Sequence, residues 1–301
     1  MDTREVLLVD AFAAEPMTGN PAGVVTDAAE LTDDQMAAIA AELGASATAF
    51  VTSSETADRR MRFFSPTGEV DRADHAIVAA LSALFERGGL DAGEYSVETA
   101  RRPVDVELKE DGTVWVDQGG VDIEEVPLDH ADVADALGVD VASLQDVGAD
   151  LPLAVASTSD PWLVVPVNYF EHVSSLDADM AAIRRLCERV DAVGLYAFTF
   201  DTIAGTSTLH GRGFAPSKDV GESPVSASAA GAVAAYVRRE GALDNTIDQV
   251  VVEGGHFLDR PGTVDVDTDG LEAWVGGRAV TTLDGSMTVP SADADDDIIE
   301  P

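Results

Sequence analysis

The chain is dominated by short apolar runs of strand length, separated by polar turns and by a few longer segments with helical spacing. In the first half the runs Val6 to Phe12, Pro21 to Val25, Ala47 to Thr52 and Met61 to Phe64 predict strands, and Thr32 to Leu43 predicts a helix. Further strands are expected near Tyr95 to Thr99, Val104 to Leu108 and Thr113 to Val116. Two alanine-rich segments, His75 to Arg87 and Ser226 to Arg239, read as helices. Ala76 to Leu84 is apolar on nearly every face, and a helix apolar all round is buried. A buried helix among short strands predicts a sheet curled about a central helix.

This pattern occurs twice. Arg62, Phe64, Pro66 and Val70 in RFFSPTGEV recur as Arg212, Phe214, Pro216 and Val220 in RGFAPSKDV, at a spacing of 150 residues, and each copy leads through a polar loop into an alanine-rich helix. Upstream, Met36 to Ile39 returns as Met180 to Ile183, while Asn20-Pro21 and Val24-Val25 return as Asp160-Pro161 and Val164-Val165. The spacings of 140, 144 and 150 rise in order, as insertions in the second copy would make them. We therefore expect an N-terminal lobe over residues 1–126 and a C-terminal lobe over 127–290 opening with a helix at Ala131 to Leu137. The last strand is free to cross back to the first lobe, and 291–301 forms an acidic disordered tail. Two repeats facing across a cleft would turn their central helix starts toward it. Unpaired N–H groups and the positive dipole end there favour an anion, a small carboxylate being the natural guest.

Composition narrows the function classes. Eighteen basic residues against fifty-six acidic ones give a net charge of −38, which repels nucleic acid and anionic membrane surfaces. Lys109 and Lys218 are the two lysines, and the acids are spread along the chain, a pattern expected of a halophilic, salt-adapted surface. Cys187 stands alone, on the apolar face of a helix with Ile183, Leu186 and Val190, so a buried thiol is expected rather than a disulfide or a cysteine metal cluster. The N-terminus runs straight into a strand, and no apolar stretch reaches the length of a membrane span, so the reading is a cytoplasmic protein. His130, His172, His210 and His256 show no metal-ligand spacing, and the phosphate-loop, HExxH and G-x-S-x-G motifs are absent.

Several segments then carry a resemblance. VDAFAAEPMTGNPAGVV holds Gly19, Asn20 and Pro21; Pro66 and Glu69 precede Asp74-His75; Arg212 to Pro216 is followed by ESPVSASAA from Glu222 to Ala230; and Gly254-Gly255 precede Arg260 to Gly262. In this order and over nearly the whole chain they resemble the PhzF-like family of phenazine-biosynthesis isomerases, whose fold is like that of diaminopimelate epimerase. The resemblance implies an α+β fold of two pseudo-symmetric lobes, each a largely antiparallel curled sheet around a buried helix. It implies proton movement between carbon positions of a small carboxylic acid, with no cofactor, in a homodimer. It also places a glutamate where this chain has Ala47, an aspartate where it has Ser223, and glycines where it has Asp74 and Ala227.

The candidate site is drawn from these loops. His75 is read as a general acid/base or as a helix-start residue bonded to backbone, and Asp74 as a relocated base or an ordinary cap. Glu222 and Ser223 share that ambiguity. Ser226, Ala227 and Ser228 are candidates to bind a carboxylate through hydroxyls and helix-start N–H groups, and Asn20 is a turn former or a ligand contact. Three readings follow: an isomerase with a rewired acid/base pair, a catalytically inactive relative that binds a small carboxylate or regulates, and a structural subunit.

Overall fold

The computed structural model describes residues 2–145, 147, 151–216, 220–244, 247–268 and 272–290; the expected tail at 291–301 lies outside the described residues. The chain begins with β1 (Asp2–Ala11), β2 (Asn20–Val25), α1 (Asp33–Leu43), β3 (Thr48–Thr52), β4 (Arg59–Ser65), β5 (Gly68–Val70) and α2 (Asp74–Glu86). It continues with β6 (Gly93–Glu98), β7 (Val104–Leu108), β8 (Val114–Gly120), β9 (Asp122–Glu125), α3 (His130–Leu137), β10 (Ala154–Ser157) and β11 (Pro161–Pro166). Next come α4 (Phe170–Ser174), α5 (Met180–Arg189), β12 (Gly194–Thr199), β13 (Leu209–Ala215), β14 (Val220–Ser223) and α6 (Ala227–Arg239). The last elements are β15 (Val250–Gly254), β16 (Gly262–Thr268), β17 (Glu272–Gly277) and β18 (Ala279–Val289). Two compact units result: residues 2–17, 21–116 and 278–290 form one, and 18–20 with 117–277 form the other. No helix among the described residues is long and apolar enough to cross a membrane.

In the first unit β1 pairs antiparallel with β18, β2 runs parallel to β3, β3 antiparallel to β4, and β4 parallel to β6, which continues antiparallel through β7 to β8. The short β5 folds back on β4 as a hairpin. Helix α2 packs on β1, β3 and β18, and Ala76 to Leu81 are fully buried, as a helix without a polar face requires. Strand β3 is buried over Thr48 to Val51 because α2 and α1 both pack against it, so its sequence does not alternate. Arg87, just past α2, bridges Glu5 on β1 and Asp284 on β18 at 2.6 and 2.8 Å.

The second unit repeats this scheme. Strand β11 runs parallel to β12, β12 antiparallel to β13, and β13 parallel to β15, followed antiparallel by β16 and β17, with β14 folded back on β13. Helix α6 packs on β10, β11, β15, β16 and β17 and buries every residue from Ala227 to Val237. Gly231 lets the sheet come close: a Cβ there would stand 3.2 Å from Thr158 Oγ1 and 3.4 Å from Val275 Cγ1. Cys187 is buried beside Ile183 and Leu186, and burial pushes its thiol up to about 12.

Two of the repeat alignments need correction. The buried positions of α1 include Met36, Ile39 and Ala40 and those of α5 are Ile183, Leu186 and Cys187, so the helices correspond at a spacing of 147, not at the 144 that aligns the two MAAI segments. Residues three apart share a helix face, so the string matches one near-turn out of step. Similarly Glu69 lies opposite Phe64 and Glu222 opposite Phe214, which makes Glu222 the second-copy counterpart of Glu69, at a spacing of 153 rather than 150. A register shift between Phe214 and Ala215 absorbs one of the three additional residues, and the other two fall between Ala215 and Val220. Beyond it the helices also correspond at 153, and His75 in α2 matches Ser228 in α6.

Candidate functional site

In the first unit the loop leading to α2 is built on a carboxylate fork. Arg62 donates Nε and Nη2 to the two oxygens of Glu69 at 2.7 and 2.9 Å, its guanidinium lies over the Phe64 ring, and Asp33 accepts from Nη1. Helix α2 then starts at Asp74 with Ala73 as its cap residue and no side-chain capping bond. Asp74 therefore does not cap the helix. Its carboxylate accepts from Arg72 Nε at 2.5 Å, and both side chains are buried. The guanidinium takes the place of the water that burial removes from the carboxylate. His75, the next residue, is half-buried, and its Nε2 lies 3.1 Å from the exposed Ser46 Oγ. Ala47, which follows Ser46, is 1% exposed and brings no polar side-chain atom to the imidazole.

The second unit has the matching fork. Arg212 donates Nε and Nη2 to Glu222, both at 2.7 Å, and lies over Phe214. It also donates Nη1 to the carbonyls of Val173 and Leu176, so Glu222 is held and does not stand ready as a free acid. Ser223 is half-buried on β14 opposite Gly213. Ser226 caps α6, its Oγ accepting from Ala229 N, and Ser228 Oγ accepts from Trp162 Nε1 at 3.0 Å. Both serine oxygens are thus acceptors toward the protein, and among the described residues neither hydroxyl has a protein acceptor for its own proton. Ala227 is buried between them.

Asn20 belongs to the frame of this loop. Its Nδ2 donates to Val225 O at 2.7 Å, Gly19 N donates to Pro261 O, and Arg260 donates to the carbonyls of Gly19 and Thr18. Gly255, at φ +78°, has no room for a side chain: a Cβ would meet Arg260 O at 2.1 Å and Pro224 O at 3.0 Å. The segments around Asn20, Pro224, Gly255 and Arg260, far apart in sequence, are thereby one structural cluster.

Other features stand apart. His210 is buried, its Nε2 lies 3.3 Å from His256 Nδ1, and burial pushes its pKa down to about 4. No group of three His, Cys, Asp or Glu among the described residues could hold a metal. A shallow groove lined by Thr26, Asp27, Thr52, Ser53 and Arg59 lies beyond the C-terminal ends of β2 and β3, whereas Ser46 and His75 are at the N-terminal end of β3. Sequence reading passes over Ser46, Arg72 and Trp162. For Ser46 a signal exists, since it adjoins Ala47, but nothing local shows that its hydroxyl reaches a helix 29 residues on.

Comparison with known proteins gives the chain a lineage. The "Uncharacterized isomerase YfhB" of Bacillus subtilis is 33% identical over 272 residues, which is 89% of this chain and 91% of the relative. A Bacillus anthracis phenazine biosynthesis protein of the PhzF family, solved by crystallography, matches with a TM-score of 0.87 at 28% identity, covering 96% of this chain and 100% of that one. A hydroxyproline epimerase from Agrobacterium vitis, solved with bound trans-4-hydroxy-L-proline, shares the fold at a TM-score of 0.59 and 13% identity, over 95% of this chain and 91% of its own. The phenazine biosynthesis-like family, PhzC-PhzF, matches residues 9–285, and with so continuous a match the chain belongs to that family of isomerase-like proteins.

Proposed function

We propose that the protein is an isomerase or epimerase that moves a proton between carbon positions of a small carboxylic acid, with His75 as the acid/base group and the Ser226 to Ser228 turn binding the substrate carboxylate. The observation that carries this reading is the pair of serine hydroxyls at the start of α6, each accepting from the protein and so left with its proton to give. Two such donors beside helix-start N–H groups suit an anion, and a carboxylate offers the acceptors they lack. His75, at the corresponding place in α2, supplies an imidazole, the side chain suited to giving and taking protons near neutrality. Hydroxyproline, bound by a neighbour of the same fold, has the size and charge this reading requires. A homodimer and a cytoplasmic location belong to the same proposal.

A second reading, a carboxylate-binding protein without turnover, is favoured by one observation: the Asp74 carboxylate, the nearest candidate for a relocated base, is tied to Arg72. One experiment separates the two. The protein is incubated in D2O and molar KCl with a panel of small amino and carboxylic acids, and carbon-bound deuterium is followed by NMR. The isomerase reading expects incorporation into at least one acid, falling about 10² to 10⁴-fold in His75→Ala. Binding without incorporation supports the second reading, and incorporation unaffected by His75→Ala overturns the assignment of His75. An Ala47→Glu, Ser223→Asp variant, which restores both carboxylates implied by the resemblance, is expected to incorporate faster than either single change.

A further inference from the structure

A polar partner of the imidazole in this chain stands one residue before the position where the resemblance puts a carboxylate. Ala47 is buried and apolar, whereas Ser46 is exposed and its Oγ lies 3.1 Å from His75 Nε2, within hydrogen-bond reach. We infer that Ser46 is the positioning residue of His75, fixing the orientation and tautomer of the ring through its hydroxyl, and this inference rests on the proton-transfer reading for its role in turnover. The two kinds of partner differ chemically. A carboxylate can only accept, so it stabilises the imidazolium and raises its pKa. A hydroxyl can donate to a bare Nε2 and, after turning about its Cβ–Oγ bond, accept from a protonated one. Ser46 can thus hold the ring in place in both protonation states. A ring that must give and take a proton in one catalytic cycle is well served by a partner of that kind. The carboxylates flanking the loop, Glu69 and Asp74, are engaged by Arg62 and Arg72. Ser46 itself is too weak an acid to be the base, and its part is orientation.

The test uses the full-length protein with ¹⁵N-labelled histidine, comparing wild type, Ser46→Ala and Ser46→Thr in molar KCl between pH 5 and 9. Because Ser46 is exposed, its replacement is expected to leave the thermal midpoint unchanged, which the same samples report. If Ser46 positions the ring, the Nε2 shift and tautomer ratio of His75 change in Ser46→Ala and return in Ser46→Thr. The deuterium-incorporation kcat is expected to fall about tenfold or more with KM unchanged, and Ser46→Thr to recover it. An Nε2 shift and tautomer ratio identical in wild type and Ser46→Ala overturn the inference, as does a kcat that does not respond while the shift moves. If wild type exchanges none of the acids, the proton-transfer reading fails, and the nitrogen shifts alone still decide for or against Ser46.

Discussion

The Asp74 carboxylate and the Arg72 guanidinium are buried against each other two residues apart at the start of α2, and removing one charge takes a buried ionic partner from the other. Asp74→Asn is therefore expected to lower the unfolding free energy by about 3–5 kcal/mol, read from urea unfolding in molar KCl. A change under about 1 kcal/mol would mean that the pair is solvated. The sequence allows two readings of Asp74, base or cap, and neither foresees the arginine two residues earlier, because an Asp at a helix start is such an ordinary sight. His210 makes a second prediction at this scale. It is enclosed by Phe170, Phe257, His256, Glu253 and Arg212, and burial lowers its pKa from 6.5 to about 4. Between these values the unfolded chain binds the proton and the folded chain does not, so this contribution is complete above pH 6.5 and is lost as the pH falls toward 4. It amounts to about 3 kcal/mol. Unfolding free energies of wild type and His210→Gln between pH 7 and 4.5 check it: wild type is expected to fall more steeply, and parallel curves would contradict the assignment.

Among elements, the two forks at the β4–β5 and β13–β14 hairpins are the same device in different surroundings. Arg62 and Arg212 each grip a glutamate with two nitrogens over a phenylalanine ring. The Arg212 side chain is 10% exposed and also serves two carbonyls, whereas the Arg62 side chain is 22% exposed beside an open Asp33. Arg212→Met is accordingly expected to cost about 3–5 kcal/mol and Arg62→Met about 1 kcal/mol, measured by the same urea unfolding. Equal losses would show that the two forks are not differently solvated. The repeat that relates them is legible in the sequence through RFFSP and RGFAP. The register within it is not: MAAI aligns Met36 with Met180, although packing matches Met36 with Ile183. A helical string aligns with itself three residues out of step at little cost in apparent similarity, and only the buried face decides which alignment is physical.

For the whole molecule the dominant quantity is the net charge of −38, which opposes compaction unless cations screen it. The thermal midpoint is expected to rise from dilute buffer to molar KCl, followed by scanning calorimetry; a flat or falling midpoint would contradict the salt-adapted reading of the surface. The amino-acid sequence by itself determined the two buried alanine-rich helices and the short strands around them, which follow from apolar periodicity, a local property; the repeat is legible in matching segments, and the α+β class in the resemblance those segments carry. What the tertiary structure decided is which polar groups are already engaged. Asn20 meets Val225 across 205 residues, Arg260 meets Gly19 across 241, and Ser46 meets His75 across 29. None of these partners is marked in the local pattern, because a hydrogen bond depends on where the folded backbone places two atoms. Which side chain of the candidate loops is tied down and which still has a proton to give is decided by the folded chain, where residues distant in sequence come within reach of one another.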